Sequence, residues 1–181
     1  MNYKKKLKIG FIGAQGTGKT TAAYDLVASL KKLGYNATVE DEVARKCPLD
    51  INEEATDEAQ LWILGKTLCT EMEQEQQKAS NILVCDRTLL DQHCYLYRRN
   101  PVLAKQLDEF VKNYVLNRYD IIFYMSPKKS YLIDDGVRSV NKDFQQQIKD
   151  IMESYIDDWN IPVIESNKPL IEVIKLIEED K

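Results

Sequence analysis

The chain has 181 residues, with 25 lysine and arginine residues against 29 aspartate and glutamate residues, which gives a formal net charge of −4 at pH 7. This length predicts one domain spanning residues 1–181, and an apolar content of 44% is ordinary for a soluble globular protein with a hydrophobic core. The acidic balance argues against a general nucleic-acid-binding protein, although it leaves room for a local basic groove.

The cysteines and the single histidine give no sign of a disulfide framework or a zinc site. Cys47, Cys69, Cys85 and Cys94 lack C-x-x-C spacing, and His93 stands beside Cys94 with no second pair of ligands. We expect reduced, intracellular thiols. No apolar run approaches the roughly 18 residues of a membrane span, and the first lysines are not followed by the apolar segment of a secretion signal. The prediction is a cytoplasmic protein without membrane contact.

The first predicted strand, residues 6–12, leads into a complete phosphate-binding motif. Gly13, Gly18, Lys19 and Thr20 satisfy G-x-x-x-x-G-K-[ST], with an apolar strand before the motif and a helical segment after it. Glycines let the backbone wrap a polyphosphate closely with its N–H groups turned inward. Lys19 is expected at the β and γ phosphates of ATP, and the Thr20 hydroxyl on Mg²⁺. The predicted ATP-binding residues are Gly13, Ala14, Gln15, Gly16, Thr17, Gly18, Lys19, Thr20 and Thr21.

A helix over residues 18–33 and a strand over residues 35–40 follow the motif. The strand ends in an acidic cluster that includes Asp41 and Glu42, and Arg45 comes three residues after Glu42. Ligands of an open α/β sheet bind outside the carboxyl ends of the strands, which is where this cluster falls. A salt bridge between Glu42 and Arg45 is the alternative role for this pair.

A long helix is predicted over residues 57–78, with the charged and glutamine-rich run at 71–78 as a solvated face. Its predicted apolar stripe is Leu61, Leu64, Leu68 and Met72. The next strand, residues 82–85, ends in Asp86 and Arg87. An acidic residue directly after a buried strand of a P-loop protein is positioned to hold Mg²⁺, and an adjacent arginine can reach phosphates. A capping aspartate beside a surface arginine is the alternative.

The second half of the sequence predicts four more helices and two more strands, and the first of these helices is a short one that carries Asp91, Tyr95, Arg98 and Arg99. Asn100 and Pro101 are the expected N-cap and first residue of a helix whose predicted core face is Leu103, Leu107, Phe110, Val111 and Tyr114. Arg138 lies in a segment, residues 126–140, that is predicted to be a lid closing over ATP, with a solvated turn as the alternative. The remaining predicted elements are a strand at 119–125, a helix at 141–159, a fifth strand at 161–164 and a final helix around 170–177.

The alternation of five apolar strands with helices predicts an α/β fold with a doubly wound, five-stranded parallel sheet flanked by helices, as in P-loop NTPases. Its active crevice should lie over the first three strands. A guanine-specific GTPase would need N-K-x-D near the fifth strand, where the sequence at 167–170 reads Asn-Lys-Pro-Leu. An oligomeric motor ATPase would need a helical lid domain, for which the chain leaves little room. A small-molecule kinase needs little more than the residues present.

Four segments, in order along almost the whole chain, resemble the ribosylnicotinamide kinase-like P-loop family (NadR-type, with an AAA domain), which is itself similar to thymidylate and deoxynucleoside kinases. They are Gly-x-x-Gly-Thr-Gly-Lys-Thr-Thr at 13–21, Glu-x-Ala-Arg at 42–45, Asp-Arg-Thr-Leu-Leu-Asp at 86–91 and Asp-Gly-x-Arg-Ser at 135–139. The resemblance implies ATP on residues 13–21 and Mg²⁺ near Thr20 and Asp86. It also implies acceptor contacts from Glu42, Arg45, Arg87 and Asp91, with Arg138 as the lid arginine.

These residues lead to the hypothesis of a kinase that transfers the γ-phosphoryl group of ATP to a hydroxyl of a nucleoside- or nucleotide-like small molecule. Glu42, or its neighbour Asp41, would orient and deprotonate that hydroxyl. Lys19, Mg²⁺, Arg87 and Arg138 would spread the charge of the transition state.

Two other functions stay open at this point. One is an ATPase switch or accessory protein that has no small-molecule acceptor. The other is a kinase acting on nucleic-acid bases or ends, for which a groove would be lined by Arg98, Arg99, Lys128 and Lys129. The sequence does not fix the acceptor or the oligomeric state.

Overall fold

The structure is a computed structural model that describes residues 6–127 and 139–179. Within these residues, four parallel strands form one sheet in the order β2–β3–β1–β4: β1 Leu7–Ile12, β2 Ala37–Glu40, β3 Ile82–Asp86 and β4 Ile121–Tyr124. The helices of the described part are α1 Lys19–Lys32, α2 Asp57–Gln76, α3 Leu89–Arg99, α4 Pro101–Arg118, α5 Lys142–Trp159 and α6 Pro169–Glu179. Two short 3₁₀ turns, Val43–Lys46 and Asn52–Glu54, lie between β2 and α2.

Both faces of the sheet are covered, which confirms the predicted doubly wound α/β architecture. Alternate strand residues point to opposite faces. On one face Phe11, Val84 and Phe123 pack against α1 and α6, and on the other Leu83, Cys85 and Ile122 pack against α2 to α5. Strands buried in this way need the nearly continuous apolar runs from which they were predicted.

The predicted fifth strand at 161–164 is wrong: the sheet of the described residues has four strands, and only one residue of this segment pairs with it. Ile164 forms an isolated bridge with Phe123, through hydrogen bonds to the backbone of Ile122 and Tyr124 at 2.9 and 3.0 Å. The N–H of Ile161 instead donates back to Ile156 in α5, at 2.9 Å. Because Pro162 has no N–H to donate, the ladder cannot extend in that direction.

Several predicted helix ends are confirmed by their caps. The side chain of Asn100 accepts a hydrogen bond from the N–H of Leu103 at 3.0 Å, with Pro101 as the first residue of α4. Beyond the end of α1, Gly34 has a φ of 87°, the left-handed conformation that glycine adopts most easily. None of the helices in the described part is both long and apolar enough to cross a membrane.

The buried faces of two helices differ from those predicted. Phe110 is 48% exposed, and Leu61 and Met72 are 40% and 45% exposed. Glu71, which was predicted to lie on a solvated face, is fully buried, as is Lys8, the second residue of β1. The buried residues of α2 are Ala59, Gln60, Ile63, Leu64, Thr67 and Glu71.

Lys8 and Glu71 can both be buried because they form an ion pair with each other. The ammonium group of Lys8 also donates to Glu75 Oε1 at 2.8 Å, and the hydroxyl groups of Tyr114 and Tyr119 donate to Glu71. Buried charges that are paired and hydrogen-bonded in this way are tolerated in a protein core. We call the set Lys8, Glu40, Glu71, Glu75, Tyr114 and Tyr119 the sheet cluster.

Candidate active site

The loop between β1 and α1 has the backbone conformation that its glycines were predicted to allow. Gly13, Gly16 and Gly18 have φ angles of 148°, 68° and 90°. A Cβ on Gly13 would lie 2.5 Å from the carbonyl oxygen of Met125, so only glycine fits there. Gly18 is the N-cap of α1, which places the N-terminal end of that helix at the loop.

Lys19 is buried inside the loop. Its ammonium group donates to the carbonyl oxygens of Gly13 and Ala14, both at 2.7 Å. Burial lowers the pKa of Lys19, and the nearby Arg87 guanidinium lowers it further, to about 8. An anionic ligand stabilises a buried ammonium of this kind, and a polyphosphate is such a ligand.

Asp86 and Thr20, the predicted Mg²⁺ ligands, lie together. Asp86 ends β3 with its side chain buried, and the hydroxyl of Thr20 is close enough to influence its pKa. Burial raises the pKa of Asp86, and the hydroxyl of Thr20 opposes that shift. A carboxylate and a hydroxyl are hard oxygen ligands, the type that Mg²⁺ prefers. The residues present therefore fit the ion.

Glu42 is held by two arginines. Its Oε1 accepts from Arg87 Nε at 2.7 Å, and its Oε2 accepts from Arg45 Nε at 3.2 Å. Burial alone would raise the pKa of Glu42, but the positive charges of Arg87, Lys19 and Arg45 lower it to about 2. The salt bridge to Arg45 is thus present, yet the shorter and more buried partner is Arg87. Glu42 is ionised throughout the physiological pH range.

Arg87 has an unusual backbone conformation, and its side chain is held by hydrogen bonds to Glu42 and Tyr95. Its φ is 91°, in the left-handed region that non-glycine residues rarely adopt. Its Nη1 donates to the hydroxyl of Tyr95 at 3.2 Å, and that hydroxyl donates to Gln15 Oε1 at 3.1 Å. A hydrogen-bonded chain therefore runs from Glu42 through Arg87 and Tyr95 to Gln15 in the P-loop.

A cavity opens beside this chain, with a volume of about 470 Å³ that includes the solvent space at its open mouth. Four predicted site residues line it: Gln15, Glu42, Arg45 and Arg87. The other lining residues were not predicted from the sequence to belong to the site; they are Ala44, Ile51, Asn52, Gln60, Ile63, Gln92 and Tyr95.

Two of these missed residues carried a signal in the sequence. Gln60 lies three residues before the buried Ile63, on the inner face of α2. Gln92 lies within an eight-residue stretch of α3, residues 89–96, that is buried throughout. A glutamine at a position where helical spacing calls for an apolar side chain is a candidate for ligand binding, because a buried carboxamide needs a hydrogen-bond partner.

Three predicted residues lie apart from the cavity or outside the described residues. Asp41 is exposed and accepts a hydrogen bond from the hydroxyl of Tyr24. Asp91 is fully buried, and its two oxygens accept from the N–H groups of Gly13 and Thr88 at 3.2 and 2.7 Å. It thus ties the P-loop to the start of α3. Arg138 lies outside the described residues, and the lid role stays a prediction.

The basic residues considered for a nucleic-acid groove make contacts within the protein. Arg98 Nε donates to Gln147 Oε1 at 3.0 Å, and Arg99 Nε donates to Asp57 Oδ1 at 3.1 Å. Lys128 and Lys129 lie outside the described residues.

Solved structures with a similar fold include several kinases. The NadR protein in complex with NR superposes with a TM-score of 0.73 at 18% identity, covering 90% of this chain and 46% of that one. Deoxyadenosine kinase from M. mycoides with bound dATP has a TM-score of 0.61 at 21% identity, and the match covers 96% of this chain and 99% of that one. Thymidylate kinase from Ehrlichia chaffeensis has a TM-score of 0.59 at 19% identity, and the match covers 95% of this chain and 98% of that one. The chain therefore spans about half the length of the NadR chain.

The P-loop and the parallel sheet flanked by helices define a P-loop protein, and the solved NadR, deoxyadenosine kinase and thymidylate kinase structures share this fold. The family model of the AAA domain, AAA_28, matches residues 8–172, and the chain belongs to this family. A search of curated protein sequences found no significant match.

Proposed function

We propose that the protein is an Mg²⁺- and ATP-dependent kinase that phosphorylates a hydroxyl group of a nucleoside- or nucleotide-like small molecule. One observation carries the proposal: an ionised, arginine-held carboxylate, Glu42, lines a cavity that reaches the P-loop at Gln15. This arrangement would put a donor site on the P-loop beside an acceptor site in the cavity, as phosphoryl transfer requires.

The donor half of the reaction falls to residues 13–21. Lys19 would exchange its bonds to the loop carbonyls for phosphate oxygens, and the N–H groups of the loop and of α1 would bind further oxygens. Thr20 and Asp86 would hold Mg²⁺, which neutralises charge on the phosphates.

The acceptor half falls to Glu42 and Arg87. The acceptor oxygen attacks the γ-phosphorus, the bond to the β–γ bridging oxygen breaks, ADP leaves, and the hydroxyl proton passes to Glu42. With a pKa of about 2 Glu42 is a weak base, so its main contribution is to accept a hydrogen bond from the hydroxyl and orient it. A phosphate acceptor needs no base, so the carboxylate beside the P-loop favours a hydroxyl acceptor.

Two arginines would act on the developing charge. Arg87 is buried beside the cavity, and its distance of 2.7 Å from Glu42 keeps both groups charged. Arg138 would approach from the segment at 126–140 as that segment closes. Arg45 completes the rim of the acceptor site.

A panel of acceptors tests the proposal. The protein is incubated with ATP and Mg²⁺ and with nicotinamide riboside, deoxynucleosides, their monophosphates or single-stranded DNA, and both ADP and phosphorylated product are measured. We expect ADP to form in step with one class of small-molecule product. Lys19→Met, which lacks the P-loop cation, is the control for contaminating kinases.

Each contrary result would indicate a different function. ADP formed equally in every well, including one without acceptor, would overturn the kinase assignment in favour of an ATPase. Phosphorylation of DNA alone would replace the small-molecule acceptor with a nucleic acid.

A further inference from the structure

Within the described residues, the Gln15 carboxamide is hydrogen-bonded at only one of its two ends. It is 2% exposed, belongs to the P-loop and lines the cavity. Its Oε1 accepts the hydrogen bond from Tyr95, whereas its Nε2 has no hydrogen-bond partner among the described residues. A buried amide nitrogen left in this state costs free energy, so a ligand that accepts its hydrogen bond gains that energy on binding.

The contacts of Tyr95 fix which end of the carboxamide is already hydrogen-bonded. Arg87 can only donate, so the Tyr95 hydroxyl oxygen accepts its Nη1–H at 3.2 Å. The hydroxyl proton is then directed to Gln15 at 3.1 Å, and the atom of Gln15 that receives it must be the oxygen. The amide nitrogen is consequently the group that Gln15 offers to a ligand.

The position of Gln15 limits which part of an acceptor can reach it. Gln15 belongs to the loop that binds the donor phosphates, so the acceptor atoms near it are close to the reacting hydroxyl. Gln60 and Gln92, on α2 and α3, also line the cavity, but Gln15 is the lining glutamine that belongs to the P-loop itself. A sugar is the part of a nucleoside that carries oxygen atoms next to the reacting hydroxyl.

We propose that Gln15 is a specificity-determining residue whose Nε2 donates a hydrogen bond to a second sugar hydroxyl of the acceptor, next to the hydroxyl that is phosphorylated. The inference rests on the proposed kinase function. Glu42 accepts from the reacting hydroxyl and Gln15 donates to its neighbour, so together the two side chains select a sugar with two oxygens in a fixed relation. A γ-phosphate oxygen of ATP has the same acceptor chemistry, and the experiment separates the two.

The test compares the best acceptor found for the wild-type protein with its 2′-deoxy and 3′-deoxy analogues. We expect kcat/KM to fall by about 10- to 100-fold for the analogue that lacks the contacted hydroxyl. In Gln15→Met, which keeps the length of the side chain but has no donor, this discrimination should shrink to about threefold or less. The KM for ATP should change by less than about threefold, because the contact is to the acceptor.

Two further variants keep the test decisive. Gln146→Met, at an exposed position of α5, is the matched control and should discriminate like the wild type. Gln15→Asn retains the carboxamide but withdraws it by one carbon atom, and should lose most of the discrimination even if Gln15→Met folds poorly.

The outcomes separate the two proposals. Unchanged discrimination in both Gln15 variants overturns the role of Gln15 while leaving the kinase assignment intact. A raised KM for ATP with unchanged discrimination moves the hydrogen bond to the γ-phosphate and also overturns it. A wild-type protein that phosphorylates no sugar hydroxyl overturns the proposed function, and this inference with it.

Discussion

Glu40 and Glu42 are two residues apart, yet they belong to two different buried charge clusters. Glu40 is part of the sheet cluster, where burial, followed by the negative charge of Glu71, raises its pKa to about 8. Glu42 belongs to what we call the pocket cluster, Lys19, Glu42, Asp86 and Arg87, where burial is outweighed by positive charge and the pKa is lowered to about 2. Burial is common to both clusters, so the sign of the neighbouring charge decides the protonation state.

The two clusters also differ in how far the protein itself satisfies them. In the sheet cluster, both oxygens of Glu71 accept hydrogen bonds, from Lys8, Tyr114 and Tyr119. Glu40, Glu71 and Cys85 have the spacing of metal ligands, but Lys8 already supplies the cation there, and we assign no metal to them. The pocket cluster instead borders a cavity. A closed network stabilises the fold, and an open one binds a ligand.

The largest effect is expected from removing the charge of the pocket carboxylate. Glu42→Gln keeps the shape of the side chain but removes the negative charge that orients the acceptor hydroxyl and receives its proton, so phosphoryl transfer should fall by about 10²- to 10⁴-fold. ATP is bound by the P-loop, so its affinity should stay within about threefold of the wild type. Steady-state kinetics with the best acceptor, together with ATP titration, measure the two quantities.

Asp41→Asn is the matched comparison for Glu42→Gln. Asp41 is exposed and bonded to Tyr24, so this change should lower turnover by less than about fivefold. A larger loss in Asp41→Asn than in Glu42→Gln would move the base from residue 42 to residue 41. If both variants turned over at the wild-type rate, neither Asp41 nor Glu42 would take part in the mechanism.

The sheet cluster is expected to affect stability rather than catalysis. Lys8→Met leaves Glu71 buried without its cation and should lower the free energy of unfolding by about 3–5 kcal/mol. Lys8→Met combined with Glu71→Met removes both charges and should recover much of that loss. Urea unfolding measures the change, and kcat of the folded protein should stay near the wild-type value.

Lys31→Met, at an exposed position near the end of α1, is the control and should change stability by less than about 0.5 kcal/mol. A Lys8→Met variant as stable as Lys31→Met would show that the sheet cluster does not stabilise the fold.

The pocket cluster could be predicted from the sequence because its residues follow strands. Lys19 belongs to a motif with fixed spacing, and Glu42, Asp86 and Arg87 come directly after apolar runs that end at one edge of the sheet. Chain order and strand ends are therefore enough to bring them together. The strained φ of Arg87 and its bond to Tyr95 depend on three-dimensional packing that no local pattern records.

The sheet cluster could not be predicted, because its partners are distant in the sequence and each is unremarkable where it stands. Glu71 lies in a charged run, and its burial depends on Lys8, 63 residues earlier. The predicted fifth strand was wrong for a more local reason. Its apolar residues suit a strand, but Pro162 lacks the N–H and the turn at the end of α5 takes the N–H of Ile161.

The opposite pKa shifts of the two glutamates predict opposite pH dependences of stability. For Glu40 the folded-state pKa of about 8 exceeds the ordinary value of 4.5, so its contribution is complete below pH 4.5 and is lost as the pH rises towards 8. Glu40→Gln removes this loss and should be more stable than the wild type at pH 9, by roughly 2–4 kcal/mol, with little difference at pH 5.

Urea unfolding from pH 5 to pH 9 measures this difference. Glu42 gives the reverse case, since its contribution is present above pH 4.5 and is lost only as the pH falls towards 2. Wild-type and Glu40→Gln curves that run parallel from pH 5 to pH 9 would contradict the raised pKa.

The smallest effect separates the two arginines that hold Glu42. Arg45 is 39% exposed and lies 3.2 Å from the carboxylate, while Arg87 is 9% exposed and lies 2.7 Å from it. Exposed ion pairs contribute about 0–1 kcal/mol and are screened by salt, so Arg45→Gln should lower kcat/KM by less than about fivefold, and less still at high salt. Arg87→Gln should cost far more at any salt concentration, because it leaves Glu42 buried beside one weak partner. Equal losses of kcat/KM in both variants would mean that the function of Glu42 depends on the total positive charge around it and not on Arg87 in particular.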